Sequence, residues 1–172
     1  DLLNFARPLK LELKSVNPSE LIQHTVRLVS GDAESRSIKV DTAVDDAPAS
    51  VLLDPNLMTQ VLLNLLLNAM EAVGDDNHIQ IGVRENTMGK KAIFWVEDDG
   101  PGIDAAEQEK IFDPFFTTRE KGTGLGLAIV QKIVENHQGL LKLESPIDEK
   151  GTGCRLEVHI PMDLEFDAED IA

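Results

Sequence analysis

The stretch from Asp54 to Val73 constrains the fold more than any other part of the chain. Asp54-Pro55 is a helix start, because a carboxylate can cap free N–H groups and proline suits the first helical position. The helix it opens is the longest in the sequence and is apolar almost all round, so it reads as a core element. One polar stripe breaks it: Gln60, Asn64, Asn68, Glu71 and Asp75 lie three or four residues apart and share a face. The plain reading is that this stripe faces water. A sharper reading starts from two asparagines one turn apart, whose amide oxygens are neutral hard ligands suited to a partly hydrated Mg²⁺. The longest apolar run, Val61 to Met70, is interrupted by Asn64 and Asn68, so no segment is expected to span a bilayer.

Around this helix the other elements can be read from local signals. Asp1 to Pro8 resembles the end of a helix, since Pro8 disfavours helix before it. Leu9 to Val16 alternates as a short strand would. Asn17-Pro18 opens a second helix, with Leu21, Ile22, Val26 and Val29 at helical spacing and Gly31 as its expected stop. Ile38, Val40, Thr42 and Val44 alternate as a half-buried strand, and Val51 to Leu53 is a short apolar piece. His78 to Glu85 and Lys91 to Glu97 read as strands joined by a hairpin at 86–89. The stretch from Asp98 to Gly122 has no clear period. A helix is expected from Thr123 to about Gln138, stopped by Gly139, and two strands follow, Leu140 to Glu144 and Cys154 to Ile160. Paired strands with helices between them predict an α/β fold of the two-layer α+β sandwich kind, with a mixed, mostly antiparallel sheet and its helices on one face.

Composition narrows what such a domain can bind. Thirty-one acidic residues against 16 basic ones give a net charge of −15, which repels nucleic-acid backbones and anionic membranes. The expected partners therefore include no nucleic acid and no direct membrane contact. The lone Cys154 forms no intrachain disulfide and no cysteine cluster offers a zinc site. With no basic-then-apolar leader, and with Asp rather than Met at its start, the chain reads as a cytoplasmic piece of something longer. Five acids in 163–172 make that end a solvated acidic tail.

Three further motifs carry chemistry. Asp98 stands at a strand end, with Gly100 and Gly102 just beyond. A carboxylate there can accept from an amino group such as adenine's, and glycines let a ring approach the backbone. The alternative is an Asp-Gly turn with no ligand. Gly122-Thr123-Gly124-Leu125-Gly126-Leu127 is a glycine loop opening directly into a helix, where free N–H groups and the helix dipole favour an anion. It is neither a dinucleotide fingerprint nor a P-loop, for spacing and neighbours differ. Arg119 and Lys121 just before it are local positive charges. Between these motifs, Phe112-Asp-Pro-Phe-Phe-Thr117-Thr118 sets apolar rings in a polar loop, either a satellite cluster or a lid anchored at Phe112.

Taken together, Asn64/Asn68, Asp98-x-Gly100-x-Gly102, Phe112-x-Pro114-Phe115, Gly122-x-Gly124-x-Gly126 and Gly151-x-Gly153 resemble the N, G1, F, G2 and G3 boxes of sensor histidine kinases, within the superfamily that includes gyrase, Hsp90 and MutL. The resemblance covers about residues 36 to 161, and the short lid is similar to that of nitrogen-sensor kinases. It implies a Bergerat-type ATP-binding fold with a flexible lid over about 103–124. Residues 1–10 would be the remnant of a second dimerisation helix, 11–162 the catalytic domain and 163–172 the tail. It implies ATP and Mg²⁺ as cofactors, Asn68 on the metal and Asn64 beside it. Asp98 would take the adenine amino group, with Gly100, Gly102 and Ile103 next to the base. Phe112, Thr117, Thr118, Arg119, Lys121 and the loop from Gly122 through Thr123, Gly124, Leu125, Gly126 and Leu127 would enclose the nucleotide. Asn64, Asn68, Arg119 and Lys121 would form the catalytic set.

The activity implied is transfer of the γ-phosphoryl group of ATP to a histidine on a dimerisation or histidine-phosphotransfer domain. In the full protein, a homodimer, a response regulator receiver would accept it next; the isolated domain would be a monomer. His24, His78, His137 and His159 all lack the acidic residue and proline that follow an acceptor histidine, and read as ordinary surface or strand histidines. The acceptor is therefore expected outside this chain. Related ATPases carry a glutamate at the place of Asn64 to activate water. An amide cannot take that proton, so hydrolysis should be slow. Two rival expectations keep the fold: a protein-serine kinase of the anti-sigma-factor type, and a nucleotide-sensing module that transfers nothing.

Overall fold

The computed structural model describes residues 9–118 and 122–163. Residues 1–8 of the expected dimerisation remnant, Arg119, Lys121 and nearly all of the acidic tail lie outside the described residues. The elements run β1 (Lys14–Val16), α1 (Pro18–Ser35), β2 (Lys39–Ala43), β3 (Val51–Leu53), α2 (Pro55–Val73), β4 (His78–Asn86), β5 (Lys91–Asp98), α3 (Ala105–Gln108), α4 (Gly126–Asn136), β6 (Leu140–Glu144) and β7 (Cys154–Pro161). The main sheet has the order β2-β4-β5-β7-β6. Only β2 and β4 pair in parallel; the other three pairings are antiparallel. β1 and β3 form a separate two-stranded ribbon.

Strand alternation puts one face of this sheet against the helices. Ile79, Ile81 and Val83 of β4, Ala92, Phe94 and Val96 of β5, and Leu156, Val158 and Ile160 of β7 join one core with α1, α2 and α4. α2 supplies Met58, Val61, Leu62, Leu65, Leu66, Ala69 and Met70 to it. Each of these valine, leucine and methionine side chains, fully buried, contributes about 1.5–3 kcal/mol. On the opposite face the Trp95 ring lies between the guanidinium groups of Arg84 and Arg155, 5.3 and 5.9 Å from its centroid. The fold is thus the two-layer sandwich expected, with a mixed and mostly antiparallel sheet.

Both Asn/Asp-Pro helix starts form as read. Asn17 Oδ1 accepts from the N–H groups of Ser19 and Glu20, and Asp54 Oδ1 from those of Asn56 and Leu57. Other boundaries differ. Gly31 does not end α1, which continues to Ser35. The end comes where Ser37 takes φ +54° and Ile38 N–H returns to the Ala33 carbonyl at 2.9 Å. Of the run Leu9 to Val16 only Lys14–Val16 is strand. On the edge strand β2 the inward series fades, with Ile38 buried and Thr42 exposed, because only one side has a neighbouring strand. The last long helix begins at Gly126 rather than Thr123 and ends at Asn136, with Gln138 at φ +55°. His137 is buried at the end of α4 rather than on the surface, while His159 is a strand histidine of β7 as expected, and buried there.

Candidate nucleotide site

The polar stripe on α2 and the ends of β5 and β7 border one cleft of about 510 Å³. Asn64, Asn68 and Glu71 line it from α2. The stripe divides there: Gln60 is exposed one turn earlier, and Asp75 lies beyond the helix end. Asp75 instead pairs with Arg36 Nε at 3.0 Å, while Arg36 Nη2 donates to the Met70 carbonyl at 2.9 Å. Two half-buried amides therefore face the cleft rather than bulk water, and the exposed Glu71 stands at its rim.

Asp98 is the last residue of β5 and its carboxyl lines the cleft wall. It is only 7% exposed. Burial pushes its pKa up to about 6; the Gly100 N–H, donated to Oδ1 at 3.0 Å, opposes the shift, and the charges of Asp99 and Glu97 add to it. Oδ2 has no hydrogen-bond partner among the described residues. A buried carboxylate with one oxygen held and the other open is suited to accept from an amino group. Val96, Leu156 and the buried thiol of Cys154 give this end of the cleft apolar walls. Burial raises the Cys154 thiol to about 12, with Asp98 adding to the shift, so it stays a neutral wall residue.

The start of α4 builds another part of the cleft wall. α1 and α2 are each capped by a side chain, whereas α4 follows Leu125, which offers no capping bond. Among the described residues no side chain caps its first N–H groups, and Gly126 and Leu127 line the cleft. Gly122, Thr123 and Gly124 lead into it, and Thr117 and Thr118 face them. Phe115 N–H donates to the Gly124 carbonyl at 2.9 Å, which clips the two sides of this loop together.

Of the residues singled out in the sequence, the cleft gathers Asn64, Asn68, Asp98, Gly102, Ile103, Thr117, Thr118, Gly122, Thr123, Gly124, Gly126 and Leu127. Gly100 supports Asp98 from behind, and Leu125 is buried against the protein. Phe112 does not reach the cleft; it packs on the main core, and Phe116 lines the cleft in its place. Glu107 and Ile111 also line it and were not foreseen, because the stretch containing them has no readable period. The donor set suits a cation shared with a ligand. Among the described residues no cluster of three His, Cys, Asp or Glu could hold a metal alone, while the cleft presents the amides of Asn64 and Asn68.

Comparison with known proteins bears on the family and the fold. Residues 53–164 match the family described as histidine kinase-, DNA gyrase B-, and HSP90-like ATPase. The chain belongs to this ATPase family, and with it comes the use of ATP. Sensor histidine kinase ZraS of Escherichia coli (strain K12) is 40% identical over 164 residues, covering 95% of this chain and 34% of that protein. The chain thus spans about a third of the length of the curated relatives it matches. The catalytic domain of histidine kinase ThkA superposes with a TM-score of 0.79 at 35% identity, over 88% of this chain and 96% of that one. ThkA has also been solved with the response regulator protein TrrA; there the TM-score is 0.80 at 31% identity, over 94% and 45% of the two chains. Full-length ShkA, solved in complex with AMPPNP, gives a TM-score of 0.82 at 27% identity, over 93% and 34%. Within the family, then, this chain has the fold of the histidine kinase catalytic domains.

Proposed function

We propose that the chain binds Mg-ATP in this cleft and passes the γ-phosphoryl group to a histidine of a dimerisation domain in the same full protein. The observation that carries this reading is the pairing of a buried open carboxylate with a helix start that has no side-chain cap, across one cleft with two asparagines between them. Asp98 would accept the adenine amino group, and Gly102 and Ile103 would lie beside the base. Asn68, with Asn64 one turn back, would hold Mg²⁺ on the phosphates. The metal, when bound, neutralises charge on the phosphate oxygens. The N–H groups at the start of α4, with Thr117, Thr118 and Thr123, would hold the phosphates, and Arg119 and Lys121 are assigned here from the resemblance. In a chain of net charge −15 such local donors are what makes an anion welcome.

The protein's part in the transfer is positioning and charge stabilisation. The imidazole nitrogen forms a bond to the γ-phosphorus as the bond to the bridging oxygen breaks, and the electron pair leaves on ADP. Nothing at the position of Asn64 can take a proton from water, so the γ-phosphoryl group is kept for the histidine. Residues 11–162 are assigned as the catalytic domain. That ThkA was solved with a response regulator supports a response regulator as the next acceptor; a homodimeric full protein and a cytoplasmic location for this domain are assigned from the resemblance. Among the described residues no helix is long and apolar enough to cross a membrane.

Titration calorimetry with a non-hydrolysable ATP analogue tests the reading, with and without Mg²⁺. One-to-one binding that Asp98→Asn weakens is the expected result, followed by acid-labile phosphorylation of a supplied dimerisation domain. Binding without transfer to any such domain would leave a nucleotide-sensing module, and acid-stable phosphoserine on a partner would make it a serine kinase.

A further inference from the structure

Ile103 is held through both sides of its backbone. Its N–H donates to Ser145 Oγ at 2.8 Å, and its carbonyl accepts from Gln108 Nε2 at 2.9 Å. The two side chains also tie their segments to each other: Gln108 Nε2 donates to the Ser145 carbonyl at 2.9 Å, and Ser145 Oγ to the Gly153 carbonyl at 3.0 Å. Gly153 N–H closes the ring by donating to the Gly100 carbonyl at 2.7 Å. Three segments are joined in this way: the turn after Asp98, the short helix α3 that follows it, and the loop between β6 and β7, which starts at Ser145, 42 residues after Ile103.

The fit is close. Gly102 sits at φ +78°, and a Cβ there would lie 3.0 Å from Ser145 Oγ and 3.2 Å from the Gly153 carbonyl oxygen. Gly102 and Ile103 line the cleft, as do Glu107 and Ile111 on either side of Gln108, whereas neither Gln108 nor Ser145 lines it. We propose that Gln108 and Ser145 are positioning residues that lock the turn carrying Gly102 and Ile103 beside Asp98 and thereby set the affinity for the nucleotide base. The role rests on the nucleotide reading above. Gln108 is suited to it because its amide has two N–H groups and both are spent on carbonyls. A glutamate of the same shape has only acceptors to turn toward them.

The test compares Gln108→Glu, Gln108→Met and Ser145→Ala with the parent chain by calorimetric titration of a non-hydrolysable ATP analogue with Mg²⁺, and by hydrogen exchange without nucleotide. The expected result is a Kd raised about tenfold in Gln108→Glu and several-fold in the other two, at an unchanged stoichiometry of about one. A merely structural role would lower the binding-competent fraction and leave Kd alone. Exchange at the Ile103 amide should quicken in Gln108→Glu while the α2 amides keep their parental protection. Parental Kd in all three variants overturns the positioning role, as does unchanged exchange across residues 100–108. If the parent itself binds no nucleotide, the nucleotide reading fails and this role falls with it, while exchange still reports whether the ring of hydrogen bonds is present.

Discussion

His137 Nε2 accepts the backbone N–H of Asp54 at 3.0 Å, so the residue that ends α4 is bonded to the residue that caps α2. Its Nδ1 lies 2.8 Å from the Ile133 carbonyl, which assigns the ring proton to Nδ1 and leaves Nε2 as the acceptor. Asp54 in turn accepts Glu12 N–H at 2.9 Å through Oδ2. One buried imidazole thus fixes how α4, with its bare N-terminus, lies against the asparagine-bearing helix.

His137→Ala should therefore cost about 2–4 kcal/mol at pH 7.5, from a lost buried side chain and an orphaned Asp54 N–H. Burial holds the His137 pKa below its ordinary value, with the Ile133 carbonyl and Asp54 partly opposing. A depressed histidine stays neutral in the folded chain while the unfolded chain takes up a proton, so its contribution is lost as pH falls below about 6.5. Denaturant titrations at pH 7.5 and 5.5 should show the gap between parent and variant narrowing at the lower pH. An equal gap at both would assign the acid sensitivity to other groups.

Gly124 sits at φ +68°, and a Cβ on it would come 2.4 Å from the Phe115 carbonyl carbon, a backbone atom that cannot step aside. Phe115 itself holds φ +68°, a conformation that costs an aromatic residue of order 1–3 kcal/mol and persists only where neighbours enforce it. Gly124→Ala should break the Phe115–Gly124 hydrogen bond and open the loop. The expected effect is at least a tenfold weaker affinity for an ATP analogue, with a small change in Tm, because the clip lies at the surface rather than in the core. Calorimetry paired with thermal denaturation checks both.

How far the sequence could be read follows from how local each signal was. Asn17-Pro18 and Asp54-Pro55 were legible because capping is settled within four residues, and both helices start where the chemistry says. Asp98 was legible as the end of an apolar strand, and the glycine loop as a helix entrance. Gly31 misled because an exposed glycine inside a helix costs only about 1 kcal/mol, which the burial of Ala33 and Ile38 beyond it together offsets. Helix α3 has four residues and no period to detect. Which phenylalanine of 112, 115 and 116 faces core, solvent or cleft depends on tertiary packing. His137 looked ordinary because both of its partners are backbone groups, and one of them is 83 residues away.

Asn64→Glu would place a carboxylate where related ATPases carry theirs. If Asn64 occupies that place, the variant should hydrolyse ATP at least tenfold faster than the parent chain, since a general base contributes roughly 10²–10⁴-fold where its geometry is right. A phosphate-release assay on the isolated chain measures it. Parental rates in the variant would mean that Asn64 does not face the attacking water.

Asp98 ties the chemistry of the cleft to the stability of the domain. Its carboxyl has a pKa raised to about 6 by burial, against an ordinary value of 3.8. Between those values the folded chain retains a proton that the unfolded chain has released, so the stability this group contributes is full below about pH 4. It is lost as pH rises through 6. At pH 7.5 the buried charge is a cost of about 1–3 kcal/mol. Asp98→Asn removes that cost and can keep accepting the Gly100 N–H, so it should raise Tm at pH 7.5 and leave Tm near parental at pH 4. If Asp98 holds the adenine amino group as proposed, the same substitution should weaken binding of an ATP analogue at pH 7.5, because that group would lose a charged acceptor. Melting curves across pH 4–8, set beside calorimetric titrations of parent and variant, test both statements at once. A variant more stable and weaker in binding would show a residue kept for its ligand at the expense of the fold. A variant that loses stability at pH 7.5 would mean instead that the ionised carboxylate is held by contacts stronger than its single bond to Gly100.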